Sequence, residues 1–561
     1  MNRLIETTFR NRGYSADFLR EIDNAEYGVL KDIDKLAVRL KEIHDDGLVM
    51  TIFPDFDMDG IASGTLGFAG FSELGFNVNL FIPNPKEGYG ISADSVRDLL
   101  QQYPDTNVII TCDTGITAAD AAKYCRSAGV EFIVTDHHIQ SQVIDASIIV
   151  DPMRADEVYE HPDICGAFVL YQVLQHYADL YCNSFTRDQI RRLRVFAGIG
   201  TISDTMPVLY ANRQAVKDAI MICRLIYGDG TAASVSNITG SNIYRKAFWG
   251  LYDFLKVCED YGIIKDENSI DEDFFGYYLA PIFNSPKRMD GDMSKAFGAF
   301  FANDSRKNAD YLYNLNVERK EYVNRECNAM RSHDQPYAPY LYFTTAKAGV
   351  LGLLATKCLT PYAPVFVAVD EGENADGPRY HGSGRSPEWY PCLSRLSGVI
   401  SIAGHEHAFG WSCNTEAELA HFVEVLKQDI QDVLPTVQTQ EIVPDFIIST
   451  DWSKDTGIDI ALFDEYLNEI DRYRPFGKGF PAPHVEFMFS NNDVVEWKQI
   501  GKAKEHLKIS FSNGFDCLCW NQGHLIKQKD SFSNHIVTGS LGRSEFMGNI
   551  SINFVGVLKE Q

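Results

Sequence analysis

The stretch "TIFPDFDMDG", residues 51–60, places Asp55, Asp57 and Asp59 at alternate positions and closes with a glycine. Three carboxylates this close repel one another, so a folded chain needs a cation or bound protons to hold them together. The pattern D-x-D-x-D-G also opens an EF-hand calcium loop, which requires a preceding helix and a glutamate at the twelfth position. Here the twelfth position is Leu66, and the preceding "GLVMTIF" is a short apolar run typical of a buried strand. The calcium loop is therefore excluded, which leaves a metal-binding loop or a solvated acidic turn.

Predicted strands and helices alternate over residues 45–150. The predicted strands are "LVMTIF", "FNVNLFIP", "NVIITCD", "EFIVTDHH" and "ASIIVDP", and the predicted helices between the first four are "IASGTLGFAGFSEL", "SADSVRDLLQQY" and "TAADAAKYCRSAG". This alternation is typical of a parallel α/β sheet. Residues 166–225 then show a helical pattern.

Acidic and imidazole side chains recur where the predicted strands end. Asp113 ends the third strand, and Asp136, His137 and His138 end the fourth, while Asp204 lies at a break in the later helical segment. Ligands of an open parallel sheet bind outside the carboxyl ends of its strands, so we expect these side chains to converge with the opening loop. Such a set can hold two divalent metals about 4 Å apart, which bind the attacking and leaving oxygens of a phosphoryl transfer. Mixed oxygen and nitrogen ligands favour Mn²⁺, with Mg²⁺ as the alternative.

The rest of the chain divides into three further regions. A charged helical pattern predicts a connecting helix over 290–335, followed by a mixed α/β region over 336–432. From residue 484 onward, short runs of alternating polarity predict a small β-barrel such as an OB-fold, within a region that we place at 440–561. We place the catalytic region, which contains the predicted metal site, at residues 1–289.

The charge balance limits how this chain can bind nucleic acid. The 561 residues carry 51 Lys and Arg against 77 Asp and Glu, a formal net charge of −26. This excess argues against binding through a generally basic surface. Residues 484–561 contain 8 basic and 8 acidic residues, so the acidic surplus lies upstream, with the acidic motifs.

Cysteine usage and hydropathy indicate a reducing compartment. The 12 cysteines lack disulfide-framework or zinc spacing. The N-terminal segment is charged throughout, and no apolar run is long enough to span a membrane. We expect a cytoplasmic protein without membrane contact.

Short motifs along residues 48–561 match one known family in content and order. "DFDMDG", "CDTGI", "DHH" and "GIGTISDTMPVLYANR" look like its four metal-site motifs, and "FIPNPKEGYG" and "LAPIFNSPKRMDG" its phosphate-side segments. "GSGRS" and "AGHEHAFG" resemble its second-lobe signature, called DHHA1, and "RPFGKGFPAP" with "IGKAKEHLKISF" its OB-type domain. On these motifs the chain resembles the DHH phosphoesterases, and within them the RecJ-type single-strand-specific exonucleases.

The resemblance implies a role for each residue of the metal site. Asp113 would bridge two metals, one also held by Asp55 and Asp57, and the other by three residues: Asp59, His137 and Asp204. Asp136 would orient an imidazole, and His138 would face the scissile phosphate. The nucleophile would be an activated water, since no nucleophilic side chain is implied.

The resemblance also implies substrate-binding residues. Arg385, Ser386 and His405 of the second lobe would bind a terminal 5′ phosphate, for which arginine and serine are suited. Further candidate contacts are Tyr89, Asn284 and Arg288 in the phosphate-side segments, and Trp497, Trp520, Lys502, Lys504 and Lys508 in the OB-type region. For four of these a structural role is the alternative: a packed core histidine at 405, an ion pair of Arg288 with Asp290, a plain turn at Tyr89, and strand packing of Trp520.

Four positions depart from the family pattern, one of them Ala403 of "AGH", where Gly-Gly-His is more usual. Phe53 stands where many DHH proteins have a histidine, and Pro85 and Ile282 stand where arginines are frequent. None of these touches the predicted two-metal core, but together they predict a changed set of phosphate contacts.

The combined expectation is a metal-dependent 5′→3′ exonuclease of DNA recombination and repair that degrades single-stranded DNA to nucleoside 5′-monophosphates. Its partner would be single-stranded DNA, its candidate protein partners a single-strand-binding protein or a helicase, and its state a monomer. Two alternatives stay open: a DHH-type phosphodiesterase on short oligonucleotides or cyclic dinucleotides, and a non-catalytic replication or repair scaffold.

Overall fold

The computed structural model forms two compact units. It describes residues 3–24, 28–85, 88, 90–228, 233–332, 335–372, 377–434, 444–449, 460–501, 504–511, 515–520, 522–528, 533–546 and 549–558. One unit combines Met1–Glu26, Pro207–Gln214 and Gln440–Gln561, and the other contains Tyr27–Met206 and Ala215–Thr439.

Two N-terminal helices, α1 (Arg3–Asn11) and α2 (Ala16–Glu21), belong to the same unit as the C-terminal region. Ile5 and Phe9 of α1 are buried in the apolar core of that region. Arg12 donates to both carboxylate oxygens of Asp445, over 2.7 and 2.8 Å. The division drawn from the sequence differs here, since it assigned these residues to the catalytic region. The physical reason is the apolar face of α1, which is buried against C-terminal residues.

The second unit contains the parallel sheet expected from the sequence. Its five strands run in the order β2-β1-β3-β4-β5, and all neighbours are parallel. The strands are β1 (Val49–Pro54), β2 (Asn77–Leu80), β3 (Val108–Cys112), β4 (Glu131–Thr135) and β5 (Ile148–Val150). The predicted α/β class is confirmed.

Helices cover this sheet and extend beyond it. They are α3 (Ile33–Asp45), α4 (Met58–Glu73), α5 (Ala93–Gln102), α6 (Ala119–Ala128), α7 (Gly166–Tyr181), α8 (Ser184–Arg192), α9 (Arg194–Ser203), α10 (Tyr210–Tyr227), α11 (Ala233–Ser236), α12 (Asn242–Asp260), α13 (Glu272–Phe274), α14 (Ala280–Phe283), α15 (Ser285–Met289) and α16 (Ser294–Phe301). A π-helical turn, Phe275–Leu279, separates α13 from α14. No helix in the described ranges has both the length and the apolar character needed to cross a membrane.

Helix α4 lies unusually close to α7 because its facing positions are glycines. A Cβ atom at Gly67 would lie 2.9 Å from Leu170, and one at Gly70 would lie 2.6 Å from Leu174. Larger residues would therefore force the two helices apart. This close packing brings the N-terminus of α7 to the loop that follows β1.

A long helix, α17 (Ser305–Ser332), leads into a second lobe with a mixed five-stranded sheet. The strand order is β6-β7-β8-β10-β9, with β6 (Leu341–Phe343), β7 (Val365–Asp370), β8 (Tyr380–Arg385), β9 (Ser401–His405) and β10 (Ala408–Cys413). The accompanying helices are α18 (Leu351–Cys358), α19 (Cys392–Leu396) and α20 (Glu416–Val433).

The described residues of the C-terminal region form a seven-stranded mixed sheet and the helix α21 (Ile460–Ile470). Its order is β11-β12-β16-β17-β15-β14-β13, and the strands are β11 (Phe446–Ser449), β12 (Val485–Ser490), β13 (Val494–Ile500), β14 (His506–Phe511), β15 (Asp516–Cys519), β16 (Asn534–Phe546) and β17 (Asn549–Leu558). Buried residues alternate along β12 and β14, as the period-two pattern predicts.

Candidate metal centre and phosphate site

The first acidic residues of three motifs lie side by side at the carboxyl ends of neighbouring strands of the parallel sheet. Asp55, Asp113 and Asp136 follow β1, β3 and β4, and each donates its backbone N–H to the carbonyl of the last residue of the next strand, over 3.1 to 3.2 Å. In a sheet of order β2-β1-β3-β4-β5 the strand order reverses between β1 and β3, which is where such sheets bind ligands. Asp55 and Asp113 lie at this switch point.

The other two aspartates of the opening motif are fixed by helix N-termini. Asp57 caps α4, since its Oδ1 accepts from the N–H groups of Asp59 and Gly60 at 3.0 and 3.2 Å. Asp59 accepts from the N–H groups of Gly166 and Ala167 at the start of α7, over 2.7 and 3.2 Å. Carboxylates are stabilised at helix N-termini, so both side chains have defined positions before any metal binds.

Three groups of potential metal ligands overlap at this site, and one of them joins Asp113 to His137 and His138. The other two form two sets that meet at Asp113. In one set, ligand atoms of Asp55, Asp57 and Asp113 lie within 4.8 Å of one another. In the other, His137 Nε2 lies 3.0 Å from Asp113 Oδ1 and 3.6 Å from Asp204 Oδ2. Its remaining member, Asp59, has Oδ2 at 3.9 Å from the same nitrogen. The structure thus brings together all six residues to which the sequence assigned a metal.

The electrostatics of this cluster fit a divalent cation. Asp55 Oδ2 and Asp113 Oδ1 are buried and have no hydrogen-bond partner among the described residues. The contact of Asp113 Oδ1 with His137 lacks hydrogen-bond geometry. Burial and repulsion from Asp59 and Asp57 raise the pKa of Asp113 well above its ordinary value. Burial and the charge of Asp57 likewise raise the pKa of Asp55 to about 7. Hard divalent cations take such unsatisfied carboxylate oxygens as ligands.

Asp113 itself is held in a strained position. Its φ is +63°, the left-handed region that residues other than glycine rarely adopt. A Cβ atom at Gly166 would lie 2.5 Å from Asp113 Cβ, and one at Gly200 would overlap Asp59. These two glycines therefore leave room for the carboxylates. Sequence reasoning missed both, although each is a glycine inside a helical segment that follows or contains a site motif.

The "DHH" motif is organised by its aspartate. Asp136 Oδ1 accepts from His137 N–H at 2.7 Å and lies 2.7 Å from His138 Nδ1, while its Oδ2 accepts from Ile116 N–H at 2.9 Å. Burial lowers the pKa of His138, but the hydrogen bond and charge of Asp136 outweigh it and raise this pKa to about 9. Asp136 lies outside both ligand sets and positions its neighbours.

The phosphate-side segment places cations beside the metal cluster. Lys287 Nζ lies 3.6 Å from Asp57 Oδ2 and 4.9 Å from the centre of the Phe56 ring. Arg288 donates to the carbonyl of Gly349 at 3.1 Å, whereas Asp290 pairs with a lysine. Buried Asn284 Oδ1 has no hydrogen-bond partner in the described part of the chain. Asn284 and Arg288 were predicted from the sequence to bind the substrate, and Lys287 was not predicted.

The second lobe aligns two of its predicted phosphate contacts. Ala408 of β10 pairs with Arg385 of β8 on one side and with His405 of β9 on the other. Residues directly opposite one another share a face of the sheet, so these two side chains lie on one face. His405 is exposed and not packed in the core. The hydroxyl of Ser386 is buried and donates to the backbone carbonyl of Tyr390, so it is engaged within its own loop.

The remaining predicted contacts vary in accessibility. Trp520 is 50% exposed, with its ring 4.6 Å from that of His506. Trp497 packs against the C-terminal core, and Lys508 pairs with Asp516 at 2.9 Å. Tyr89 and Lys502 lie outside the described residues, while Lys504 is described and exposed. Two of the departures from the family pattern have structural roles: Phe53 stacks on Phe81, and Ile282 is buried in the core.

Two known domains match this sequence. The DHH family, N-terminal domain, matches residues 49–194, which include the loop after β1 and the "DHH" motif. The RecJ OB domain matches residues 457–556, which include six of the seven C-terminal strands.

Curated relatives are similar over most of this chain. The single-stranded-DNA-specific exonuclease RecJ of Bacillus subtilis is 26% identical over 544 residues, covering 93% of this chain and 62% of the relative. RecJ of Haemophilus influenzae is 23% identical and is matched over 90% of its length, with 95% of this chain covered. The chain thus spans less than two thirds of the Bacillus protein.

The fold is that of a solved structure. The crystal structure of RecJ in complex with Mn²⁺ from Thermus thermophilus superposes with a TM-score of 0.74 at 20% identity, covering 100% of this chain and 76% of that one. The structure of the same protein with Mg²⁺ gives 0.69 at 19% identity, covering 100% and 75%. At these identities the likeness establishes the fold.

Proposed function

We propose that this chain is a RecJ-type DHH protein that degrades single-stranded DNA from the 5′ end to nucleoside 5′-monophosphates in a metal-dependent reaction. The observation that carries this proposal is the meeting of two ligand sets at Asp113. An acidic cluster of this kind at the switch point of a parallel sheet suits the displacement of a phosphate ester.

We assign one cation to Asp55, Asp57 and Asp113, and a second to Asp113 with Asp59, His137 and Asp204. When bound, two such cations supply the charge that stabilises the attacking and leaving oxygens of a phosphoryl transfer, and they lower the pKa of water. Because one ligand is an imidazole, we favour Mn²⁺ over Mg²⁺.

The protein groups around the metals position and charge the substrate phosphate. Asp136 fixes the ring of His138 through Nδ1, and we assign His138 to an oxygen of the substrate phosphate. Lys287 lies beside the carboxylate of Asp57 and can bind an oxygen of the substrate phosphate. Neither residue acts as a nucleophile in this scheme.

The second lobe supports binding of a strand end. Arg385 and His405 share one sheet face, and a guanidinium suits the oxygens of a terminal phosphate. Exposed Trp520 in the OB-type region suits stacking with bases of a longer strand. A monomer, a cytoplasmic location, and a single-strand-binding protein or a helicase as protein partner belong to the same proposal.

A degradation assay separates this function from its alternatives. End-labelled single strands, duplexes and dinucleotides are incubated with Mn²⁺ or Mg²⁺, using the parent protein and Asp113→Asn, with Asp45→Asn as a surface control. We expect stepwise release of mononucleotides from the 5′ end of single strands only. Cleavage restricted to dinucleotides would instead indicate an oligonucleotide phosphodiesterase, and metal binding without cleavage of any substrate would indicate a scaffold.

A further inference from the structure

Three arginines of the second unit interact with one another, and none of them forms a salt bridge within the described residues. Arg288 donates to Gly349 O at 3.1 Å, and Arg385 donates to the carbonyl of Gly384 at 2.8 Å. Arg319 donates twice, at 3.0 and 2.8 Å, to the side-chain oxygen of buried Asn316. All these acceptors are neutral, and no Asp or Glu of the described residues forms a salt bridge with any of the three guanidinium groups.

The three guanidinium groups also repel one another. Burial lowers the pKa of Arg319, and the charge of Arg288 lowers it further. Burial followed by the same arginine lowers the pKa of Arg385. Arg288 is therefore close enough to both of the other arginines to repel them. In a protein of net charge −26, an arginine cluster fixed only by neutral oxygens is suited to bind an anion with several charges.

An exposed aromatic surface continues the cluster along α17. Lys320 follows Arg319, and its ammonium lies 5.9 Å from the centre of the Tyr278 ring. Tyr277 and Tyr278 are 71% and 40% exposed. Both belong to the π-helical turn Phe275–Leu279, and such turns are frequent at functional sites.

This turn packs against α9, and a Cβ atom at Gly276 would lie 3.4 Å from Ile202. Asp204, a member of the second ligand set, follows directly after Ser203, the last residue of α9. The turn that carries the two tyrosines therefore packs on the helix that leads into the metal centre.

We propose that Arg319, Lys320, Tyr277 and Tyr278 form a binding track for the single strand beyond the nucleotide being cleaved. The two cations bind backbone phosphates, and the tyrosines stack on bases. A basic pair interleaved with exposed aromatic rings suits single-stranded nucleic acid, since stacking is independent of sequence and the phosphates need cations. This inference rests on the proposed function, because it extends the substrate from the same metal centre. The competing explanation is that the contact of Lys320 with Tyr278 is purely structural.

Binding without cleavage tests the track first. Fluorescence anisotropy measures the Kd of a labelled strand of about 12 nucleotides, in the range of single-strand site sizes, with the full-length protein in chelator. We expect the double variant Tyr277→Ala/Tyr278→Ala to bind about 10-fold more weakly. Lys320→Ala should lower the slope of log Kd against log salt by about 0.7. The matched controls are Tyr362→Ala, which replaces a tyrosine 71% exposed in the second lobe, and Lys123→Ala on α6.

Cleavage of two substrates then separates failure of the track from failure of the proposed function. A dinucleotide does not reach the track, so both track variants should cleave it at the parent rate, while KM for the longer strand rises about 10-fold. Unchanged binding and unchanged KM in variants that keep the parent Tm would overturn the track. A parent protein that cleaves neither substrate would overturn the proposed function itself.

Discussion

The carboxylate cluster and the arginine cluster of the second unit are opposite in charge, and each holds groups of like charge close together. At the sheet edge, Asp55 and Asp113 keep buried oxygens without a hydrogen-bond partner among the described residues. Near the second lobe, Arg288, Arg319 and Arg385 are held by neutral oxygens only. Bringing like charges together costs free energy unless a ligand neutralises them. The comparison indicates that the first cluster is built for cations and the second for the phosphates that those cations act on.

The largest effect is expected when the carboxylate cluster loses its central member. Asp113→Asn removes the carboxylate that both ligand sets share. Loss of a residue that only orients a metal ligand costs up to about 100-fold in activity. Cleavage of single strands by Asp113→Asn should therefore fall by more than about 100-fold. Because one buried charge is removed, Tm in chelator should not decrease. Asp45→Asn serves as the control, since Asp45 is an exposed helix residue. Activity within tenfold of the parent would break the assignment of Asp113 to two metals.

The arginine cluster should decide which strand end is used. With the parent protein, a 5′-phosphorylated strand should be degraded faster than a 5′-hydroxyl strand. Arg385→Ala should reduce that preference by about 10-fold, the effect of losing a charged hydrogen bond. Initial rates on the two strands measure it, with Arg379→Ala as control, because Arg379 pairs with Asp370 on the same sheet. Equal rates for both ends with the parent protein would contradict the 5′ pocket.

The pH dependence of metal-free stability tests the repulsion in the carboxylate cluster. The folded-state pKa values of Asp55 (about 7) and Asp113 lie above their ordinary value. At pH values between the ordinary and the folded-state pKa, the folded chain therefore binds more protons than the unfolded chain. The free energy of unfolding should therefore decrease as pH rises from about 5 to about 7. In chelator, the Tm of the parent should drop relative to that of Asp113→Asn over this range, and Mn²⁺ should remove the difference. Parallel Tm curves for the two proteins would refute the repulsion.

The smallest effect is expected in the C-terminal region. Trp520→Ala should weaken binding of a long strand about 5-fold, at the lower end of stacking contributions, and leave dinucleotide cleavage unchanged. Anisotropy with the full-length protein measures the binding, and Tyr362→Ala is again the control. Equal loss of both activities would mean that Trp520 has a structural role. A deletion of the C-terminal strands is unsuited to this question, because Ile5 and Phe9 are buried in the same core.

Most of the sheet and the metal cluster could be predicted from the sequence because their determinants are local. Each strand of the parallel sheet is a short apolar run, and each predicted ligand except Asp204 lies within a few residues of a strand end. The carboxyl ends of parallel strands share an edge, so position along the chain was enough to place these side chains together.

The missed features depend on contacts between distant segments. Gly166 is needed because Asp113 approaches it, and nothing in the local pattern around either residue shows that contact. Arg319 resembles any charged residue of a long helix until Asn316 and Arg288 are seen beside it. The packing of α1 on the C-terminal core is equally non-local, so the predicted division of the chain did not include it.

Anomalous diffraction from crystals soaked with Mn²⁺ tests the central claim most directly. The account predicts two manganese peaks about 4 Å apart, with Asp113 between them, Asp55 and Asp57 on one, and Asp59, His137 and Asp204 on the other. In crystals of Asp113→Asn at least one of the two peaks should disappear. A single peak in the parent protein, or two peaks that do not share Asp113, would contradict the account.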